Sequence, residues 1–384
     1  MTSGVAFCSP GARTNGDSQT RTTVGGIANP AKLPLSECAG GDIRLGWSAE
    51  FERSWRTAGV DRRSGRVVRL DRGWSSVAYA ADQAPVRCRN IGADVAVGDW
   101  VVVSDDGERV ELIVDRKSAF TRRASFEGNR AVAHTIAANI DIVVLVHQLT
   151  SPPNQRRLER ELVLAFDSGA SPVIVMTKRD VVPDADASIA ALEAVAVGVP
   201  VMCASGISGE GVEQLRALVQ PTASSRGATM ALLGASGVGK STLINALVGN
   251  VALRTSEVRE GDQRGRHTTT AVELVALPSS SDGERGWLID TPGVRAVSLW
   301  SSGTGIERAF ADVFDLADHC RFRDCKHDDE PGCAVKSAIA AGTLDPRRLD
   351  AMARLVAEEL ALEEEQRAHV KAGDRRGMRK PRPR

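Results

Sequence analysis

Gly234-Ala235-Ser236-Gly237-Val238-Gly239-Lys240-Ser241-Thr242 contains the pattern G-x-x-x-x-G-K-[ST] in full, between an apolar run (228–234) and a segment of helical pattern. Glycines at this spacing let backbone N–H groups curl around a polyphosphate. Lys240 then reaches the β and γ oxygens, and the Ser241 hydroxyl ligates Mg²⁺. Asp290-Thr291-Pro292-Gly293 closes a second apolar run. There a P-loop enzyme holds its Mg²⁺-side carboxylate, Asp290, and the glycine, Gly293, whose N–H senses the γ-phosphate. Between the two motifs, Arg266-His267-Thr268-Thr269-Thr270 precedes another apolar run and is placed as a switch. Thr269 is expected to cap Mg²⁺ and the γ-phosphate, with its neighbours as near alternatives.

These motifs leave the purine open. Thr177-Lys178-Arg179-Asp180 ends an apolar run and has the [NT]-K-x-D form. In that form a carboxylate accepts from the N1 and N2 donors of guanine while the lysine stem lies over the base. Open α/β sheets bind ligands at such strand ends. Ser205-Gly206, in ASGISGEG, fits the companion loop whose backbone N–H meets guanine O6. Ordinary GTPases place the P-loop first and the guanine-reading motifs last. Here the order is TKRD, SG, P-loop, DTPG, so the domain is circularly permuted.

Cys320-x4-Cys325-x-His327-x5-Cys333 supplies three thiolates and an imidazole within 14 residues, the donor set of a closed, structural tetrahedral zinc site. His319 is an alternative fourth ligand. Three of the seven cysteines in one short segment argue for a metal in a reducing compartment over a disulfide framework.

These residues need elements to hold them. Apolar runs at 140–146, 171–177, 199–205, 228–234, 271–277 and 286–290 alternate with helical patterns near 155–168, 186–196 and 211–219, which implies a parallel sheet covered on both faces. Upstream, five short β-rich runs (66–71, 76–81, 85–88, 99–103 and 109–115) fit a small barrel, with the OB-fold ahead of an SH3-like barrel. A helical lead-in over 45–55 precedes it. Trp74, Tyr79 and Trp100 either stack on bases or pack the barrel, and packing is favoured. Asp345-Pro346 reads as N-cap and N1 of a last helix with Leu349, Met352, Val356 and Leu360 as its apolar stripe.

The 384 residues leave room for two or three domains, and 49 basic against 49 acidic side chains exclude a globally basic nucleic-acid binder. Basic character is local: residues 366–384 hold eight Lys or Arg against Asp374 alone, as a solvated tail or a phosphate-binding arm. No run approaches the roughly 18 apolar residues of a membrane span. The first forty residues lack an apolar h-region, so a cytoplasmic address is expected.

The combination resembles the RsgA (YjeQ or YloQ) family over roughly residues 43–365. Shared stretches include GRVVRLDRG, VGDWV, DRKSAFTRR, GASGVGKSTLIN, GRHTTT, DTPG and HCRFRDCKHDDEPGCAV. The resemblance implies a flexible extension (1–42), an OB-fold barrel (43–124), a circularly permuted α/β P-loop GTPase (125–300), a mainly α zinc-binding domain (301–365) and the basic tail. It further implies GTP, Mg²⁺ and one Zn²⁺ as cofactors, and the small ribosomal subunit with its rRNA as partner. A monomer is expected. Carried over by motif, Lys240, Ser241, Thr269 and Asp290 serve phosphate and Mg²⁺, and Lys178, Asp180 and Ser205 serve guanine. Cys320, Cys325, His327 and Cys333 hold zinc. Thr177 stands where many members have Asn, and Gly206 where Ala is usual. Val294 occupies the place of the water-orienting glutamine of Ras-like enzymes, so intrinsic hydrolysis should be slow. The missing group is then His267 or part of the ribosome. A small-molecule NTPase or kinase lacks support from an acceptor site, and a non-catalytic RNA-binding module is disfavoured by the intact Lys240, Ser241, Thr269 and Asp290.

Overall fold

The computed structural model describes residues 40–71, 73–123, 133–182, 184–222, 226–249, 272–278, 285–290 and 304–377. Residues 40–57 form the lead-in. Asp42 caps a short 3₁₀ turn (Ile43–Leu45), and Ser48 caps helix α1 (Ala49–Thr57), whose Phe51 and Trp55 are buried. The extension expected through residue 42 therefore ends earlier. Gly40 N–H donates to Glu52 at 2.8 Å, Ala81 N–H donates to Asp42 at 3.2 Å, and a Cβ on Gly40 would lie 2.7 Å from the Trp55 ring.

Strands β1 (Gly65–Asp71), β2 (Trp74–Ala78), β3 (Val86–Arg89), β4 (Trp100–Val103) and β5 (Val110–Ile113) follow. β1 pairs with β2 and β4, β2 with β3, and β4 with β5, all antiparallel. One parallel bridge, Arg89 to Arg109, joins β3 to β5 and completes a ring of five. Alternation accounts for its filling: Val67, Val77, Cys88, Val101 and Val103 point into the barrel, while Trp100 and Val102, which alternate with them, pack outside it in the neighbouring core. Gly98 sits at φ +92° where a Cβ would lie 2.1 Å from the Ala138 carbonyl oxygen, so this close approach demands glycine.

β6 (Ala119–Arg123) and β7 (Ala133–Ala138) pair antiparallel. This two-stranded sheet straddles the domain boundary expected at 124/125. Next come β8 (Ile142–Gln148), α2 (Gln155–Asp167), β9 (Ser171–Thr177), α3 (Asp186–Glu193), β10 (Val201–Cys203), α4 (Val212–Ala217), β11 (Thr229–Gly234), α5 (Lys240–Val248), β12 (Glu273–Ala276) and β13 (Trp287–Asp290). The sheet order is β10-β9-β8-β11-β13-β12, parallel except for β12. β12 also pairs antiparallel with β1, at Arg69 opposite Glu273, so barrel and nucleotide-type sheet form one continuous sheet.

The joint is charged. Asp141 accepts from Arg226 at 3.0 Å and from Thr229 N–H at 2.8 Å, and it contacts the Lys117 ammonium. Buried Arg66 donates to Thr229 Oγ1 at 2.8 Å and to the Leu45 carbonyl. Burial pulls the Arg66 guanidinium down to about 9, leaving it charged at neutral pH.

The C-terminal part is helical: α6 (Thr304–Ala309), α7 (Ala311–Ala317), α8 (Ala334–Ala340) and α9 (Pro346–Gly377). It docks on α2. Gly305 N–H donates to Asp167 at 2.7 Å, and Arg354 pairs with the buried Glu159 at 2.9 Å. Of the expected stripe on α9, Leu349, Met352 and Val356 are half-buried and pack against the core, and Leu360 does not. Ala351 and Leu355 are buried, as is Arg348, which grips Asp312 at 2.6 Å, while Leu360 is 55% exposed. Leu360 lies five residues past Leu355 and so about 140° around the helix. α9 also continues to Gly377, past the expected start of the tail at 366. Among the described residues no helix is long and apolar enough to cross a membrane.

Candidate nucleotide site and metal centre

The P-loop joins β11 to α5. Gly234 has φ +152°, and a Cβ there would lie 2.4 Å from the Val146 carbonyl oxygen; Gly237 and Gly239 take the left-handed region at +79° and +98°. These conformations turn the chain tightly enough to start α5 at Lys240. The Lys240 ammonium donates to the Gly234 carbonyl at 2.8 Å and contacts that of Ala235. Ser236, Ser241 and Thr242 are exposed on the rim, and Val238 is buried beneath it. Asp290 ends β13, beside β11. His267, Thr269 and Gly293 lie outside the described residues, as does Val294.

The guanine-reading motifs meet the P-loop directly. Thr177, at the end of β9, is buried, and its hydroxyl lies between the His147 carbonyl, at 2.9 Å, and the Val238 carbonyl of the P-loop. Lys178 follows in the left-handed conformation at φ +66°, which sends its ammonium 2.5 Å from Gln148 Oε1. Ser205 is fully buried. Its hydroxyl donates to Asp180 at 2.6 Å and accepts from the N–H groups of Ile207 and Ser208 at 3.1 and 3.0 Å, so one side chain shapes its own loop and aims the carboxylate. Gly206 packs on α5, where a Cβ would lie 2.7 Å from the Thr242 carbonyl oxygen. Glycine in place of the usual alanine thus matches a backbone approach in this chain.

Three supporting residues escaped the sequence reading. Gln148 receives Lys178. Arg216 of α4 donates to the Ala246 and Leu247 carbonyls at 3.1 and 3.2 Å, placing a cation at the C-terminal end of the P-loop helix. Behind Thr177, His147 Nε2 lies 2.9 Å from Glu161, which also accepts from Arg157 at 2.8 Å. No local motif marks these residues, since their partners lie on other elements.

In the C-terminal part, one donor atom from each of Cys320, Cys325, His327 and Cys333 falls in a cluster with all separations within 4.8 Å. His327 Nδ1 is 3.6 Å from Cys320 Sγ and 3.5 Å from Cys333 Sγ, and the two sulfurs are 3.9 Å apart. Tetrahedral Zn²⁺ with Zn–S of about 2.3 Å and Zn–N of about 2.0 Å requires about 3.5 Å for S···N and 3.8 Å for S···S. The donor set therefore fits zinc. N–H groups of Ala334 and Lys336 reach Cys320 and Cys333 Sγ at 3.4 Å each, from the start of α8 that Cys333 caps. His327 adopts φ +60°, which turns its ring inward. His319 stands outside the cluster, with its Nδ1 2.9 Å from the Asp315 carbonyl.

Comparison with known proteins decides the family. The RsgA GTPase family model matches residues 113–300. A small ribosomal subunit biogenesis GTPase RsgA of Streptomyces coelicolor is 43% identical over 305 residues, 77% of this chain and 80% of that relative. This chain belongs to the RsgA family of GTPases. An RsgA of Streptomyces avermitilis is 40% identical over 349 residues, 88% of this chain and 91% of that relative. Among solved structures, YjeQ from Thermotoga maritima superposes with a TM-score of 0.55 at 25% identity, covering 77% of this chain and 98% of that one. YloQ, described as a circularly permuted GTPase, superposes with a TM-score of 0.54 at 24% identity over 83% and 96% of the two chains, a likeness of fold. The RsgA fold thus comprises a permuted GTPase sheet, and in this chain a Cys3His cluster follows it.

Proposed function

We propose that this chain hydrolyses GTP in the biogenesis of the small ribosomal subunit, to which its rRNA-binding surfaces hold it, and that the particle stimulates turnover. The observation that carries the nucleotide half is the meeting of Thr177 with Val238 and of Ser205 with Asp180, which joins guanine-reading loops to a phosphate-binding loop. The names of the relatives support the ribosomal half.

Asp180 accepts from N1–H and N2–H of guanine, Lys178 covers the base, and the loop at Ser205 and Gly206 meets O6. Thr177 fixes this reader to the P-loop. The N–H groups between Gly234 and Thr242 surround the phosphates, and Lys240 exchanges two loop carbonyls for phosphate oxygens. Ser241, Thr269 and Asp290 would hold Mg²⁺, which supplies charge neutralisation at the β and γ phosphates. A water oxygen bonds to the γ-phosphorus as its bond to the β–γ bridging oxygen breaks, giving GDP and phosphate. Gly293 senses the γ-phosphate, and His267 or a ribosomal group orients the water.

We further read the five-stranded ring as an OB-fold, whose strand pairing 1-2-3-5-4-1 it follows, and residues 301–365 as a unit tied together by one structural Zn²⁺. GTP favours the subunit-bound state and hydrolysis favours release, and the compartment is the cytoplasm. The test is GTP and ATP hydrolysis with and without purified small subunits, with Lys240→Ala as the blank. GTP-selective turnover that rises with subunits is expected. Equal ATP turnover would remove the guanine assignment, and indifference to subunits would remove the ribosomal one.

A further inference from the structure

The barrel offered three aromatic residues for contact with bases, and two are core: Tyr79 is 2% exposed and Trp100 0%. Trp74 differs. On β2 and β3 the residues Ser75, Val77 and Cys88 point inward, so Trp74, Arg87 and Arg89 share the outer face. Trp74 lies directly opposite Arg89 in the ladder, and Arg87 is two residues along the same strand. The guanidinium carbons of Arg87 and Arg89 sit 4.8 and 5.0 Å from the Trp74 ring centroid.

Both arginines are exposed, and among the described residues neither has an ion pair or a side-chain hydrogen bond. Glu108, whose carbonyl accepts from Arg89 N–H at 2.7 Å, forms no ion pair with either arginine, and two other acids of the barrel are engaged elsewhere. Asp71 takes Arg69 at 2.9 Å, and Glu111 takes Arg62 at 2.6 Å and Arg109 at 3.4 Å. Two cations without an ion pair among the described residues thus share one ring. Cation–π contact engages the guanidinium faces and leaves the N–H edges outward and pre-ordered, the geometry that grips phosphate oxygens in pairs. Two residues along a strand span roughly 6.6 Å, close to the spacing of successive phosphates on a nucleic-acid strand.

We propose that Trp74, Arg87 and Arg89 form a clamp for an RNA phosphodiester backbone on the outer face of β2 and β3. The clamp is independent of base sequence, and its rigidity comes from the indole. That the RNA belongs to a ribosomal subunit rests on the function proposed above; the clamp itself does not.

The test titrates the full-length chain with a labelled single-stranded oligouridylate over a series of salt concentrations. Replacing both arginines, Arg87→Gln with Arg89→Gln, should weaken binding on the order of tenfold at low salt. It should also flatten the log–log salt slope by about 1.4, two phosphate contacts at about 0.7 each. Trp74→Phe should keep most of the affinity, because a ring remains under the guanidiniums, and Trp74→Leu should lose it although no charge is removed. Melting temperature and subunit-free GTP turnover serve as controls and should not move. An unchanged slope in the double variant, or Trp74→Leu binding like wild type, would overturn the clamp. Equal competition by polyglutamate would replace RNA with an acidic protein as the partner. Clamp-dependent RNA binding together with GTP turnover indifferent to small subunits would uphold the clamp and remove only the ribosomal reading.

Discussion

Thr177→Val isolates the link between base recognition and phosphate binding. Valine is close to threonine in volume, so no cavity opens, but a methyl takes the hydroxyl's place against two carbonyl oxygens and adds a tight contact to the loss of the donor. That hydroxyl sits 2.9 Å from the His147 carbonyl and in contact with the Val238 carbonyl, in a residue 2% exposed. Removing it deletes one donated hydrogen bond and leaves a buried carbonyl without its donor, a loss of about 1–3 kcal/mol. The nucleotide bridges the two loops that the bond joins, so binding must now supply the order that the tether supplied. If the full loss falls on binding, affinity drops about 5- to 150-fold. GTP and GDP should weaken together, because the tether lies under the base and P-loop and not beside the γ-phosphate. Thr177→Ser should bind as wild type. The assay is calorimetric titration with GDP and a non-hydrolysable GTP analogue, with melting of the nucleotide-free protein as the fold control. Valine-variant affinities within twofold of wild type, or a loss confined to the GTP analogue, would refute the reasoning.

Three further outcomes follow from the geometry. Asp141→Asn strips the counter-charge from Arg226 and Lys117 at the barrel joint and should cost about 3–5 kcal/mol in denaturant unfolding; a loss under about 0.5 kcal/mol would show the cluster to be well hydrated. Burial alone would raise the Asp141 carboxyl, but Arg226 and Lys117 outweigh it and hold the carboxyl below its usual range. Its stabilisation is therefore complete above the unfolded carboxyl value of about 4 and lost as pH falls through the folded one, so wild type should lose its advantage over the Asn variant in that window, as acid unfolding curves will reveal. His327→Ala should release zinc, measured by metal analysis, while His319→Ala retains one ion per chain; the reverse pattern would mean the ligand assignment is wrong. Gly206→Ala places a Cβ 2.7 Å from the Thr242 carbonyl oxygen and should cost about 1–3 kcal/mol of overpacking, seen as weaker guanine-nucleotide affinity, which an unchanged dissociation constant would contradict.

What could be read from the sequence alone was contiguous chemistry. A phosphate loop, a T-K-x-D strand end and a C-x4-C-x-H-x5-C segment each place their working groups within a few residues, so spacing suffices to define them. Strand-like periodicity likewise marked the five barrel strands, and continuous apolar runs marked the strands of the nucleotide-type sheet, of which only β12 proved antiparallel. Neither pattern says what a side chain faces. That Trp100 is core while Trp74 carries two guanidiniums depends on which strand lies opposite, as does the choice of His327 over His319 among nearby imidazoles. The stripe of α9 kept Leu349, Met352 and Val356 against the core, but its fully buried line runs beside them through Arg348, Ala351 and Leu355, because Asp312 and α2 determine which side of the helix is covered and a buried arginine has no hydrophobic signature. The pairing of β12 with β1, which fuses barrel and nucleotide sheet, and the Thr177 bond to Val238, 61 residues away, are contacts of high sequence separation. Local pattern is silent on such contacts; they exist only once packing has brought the segments together.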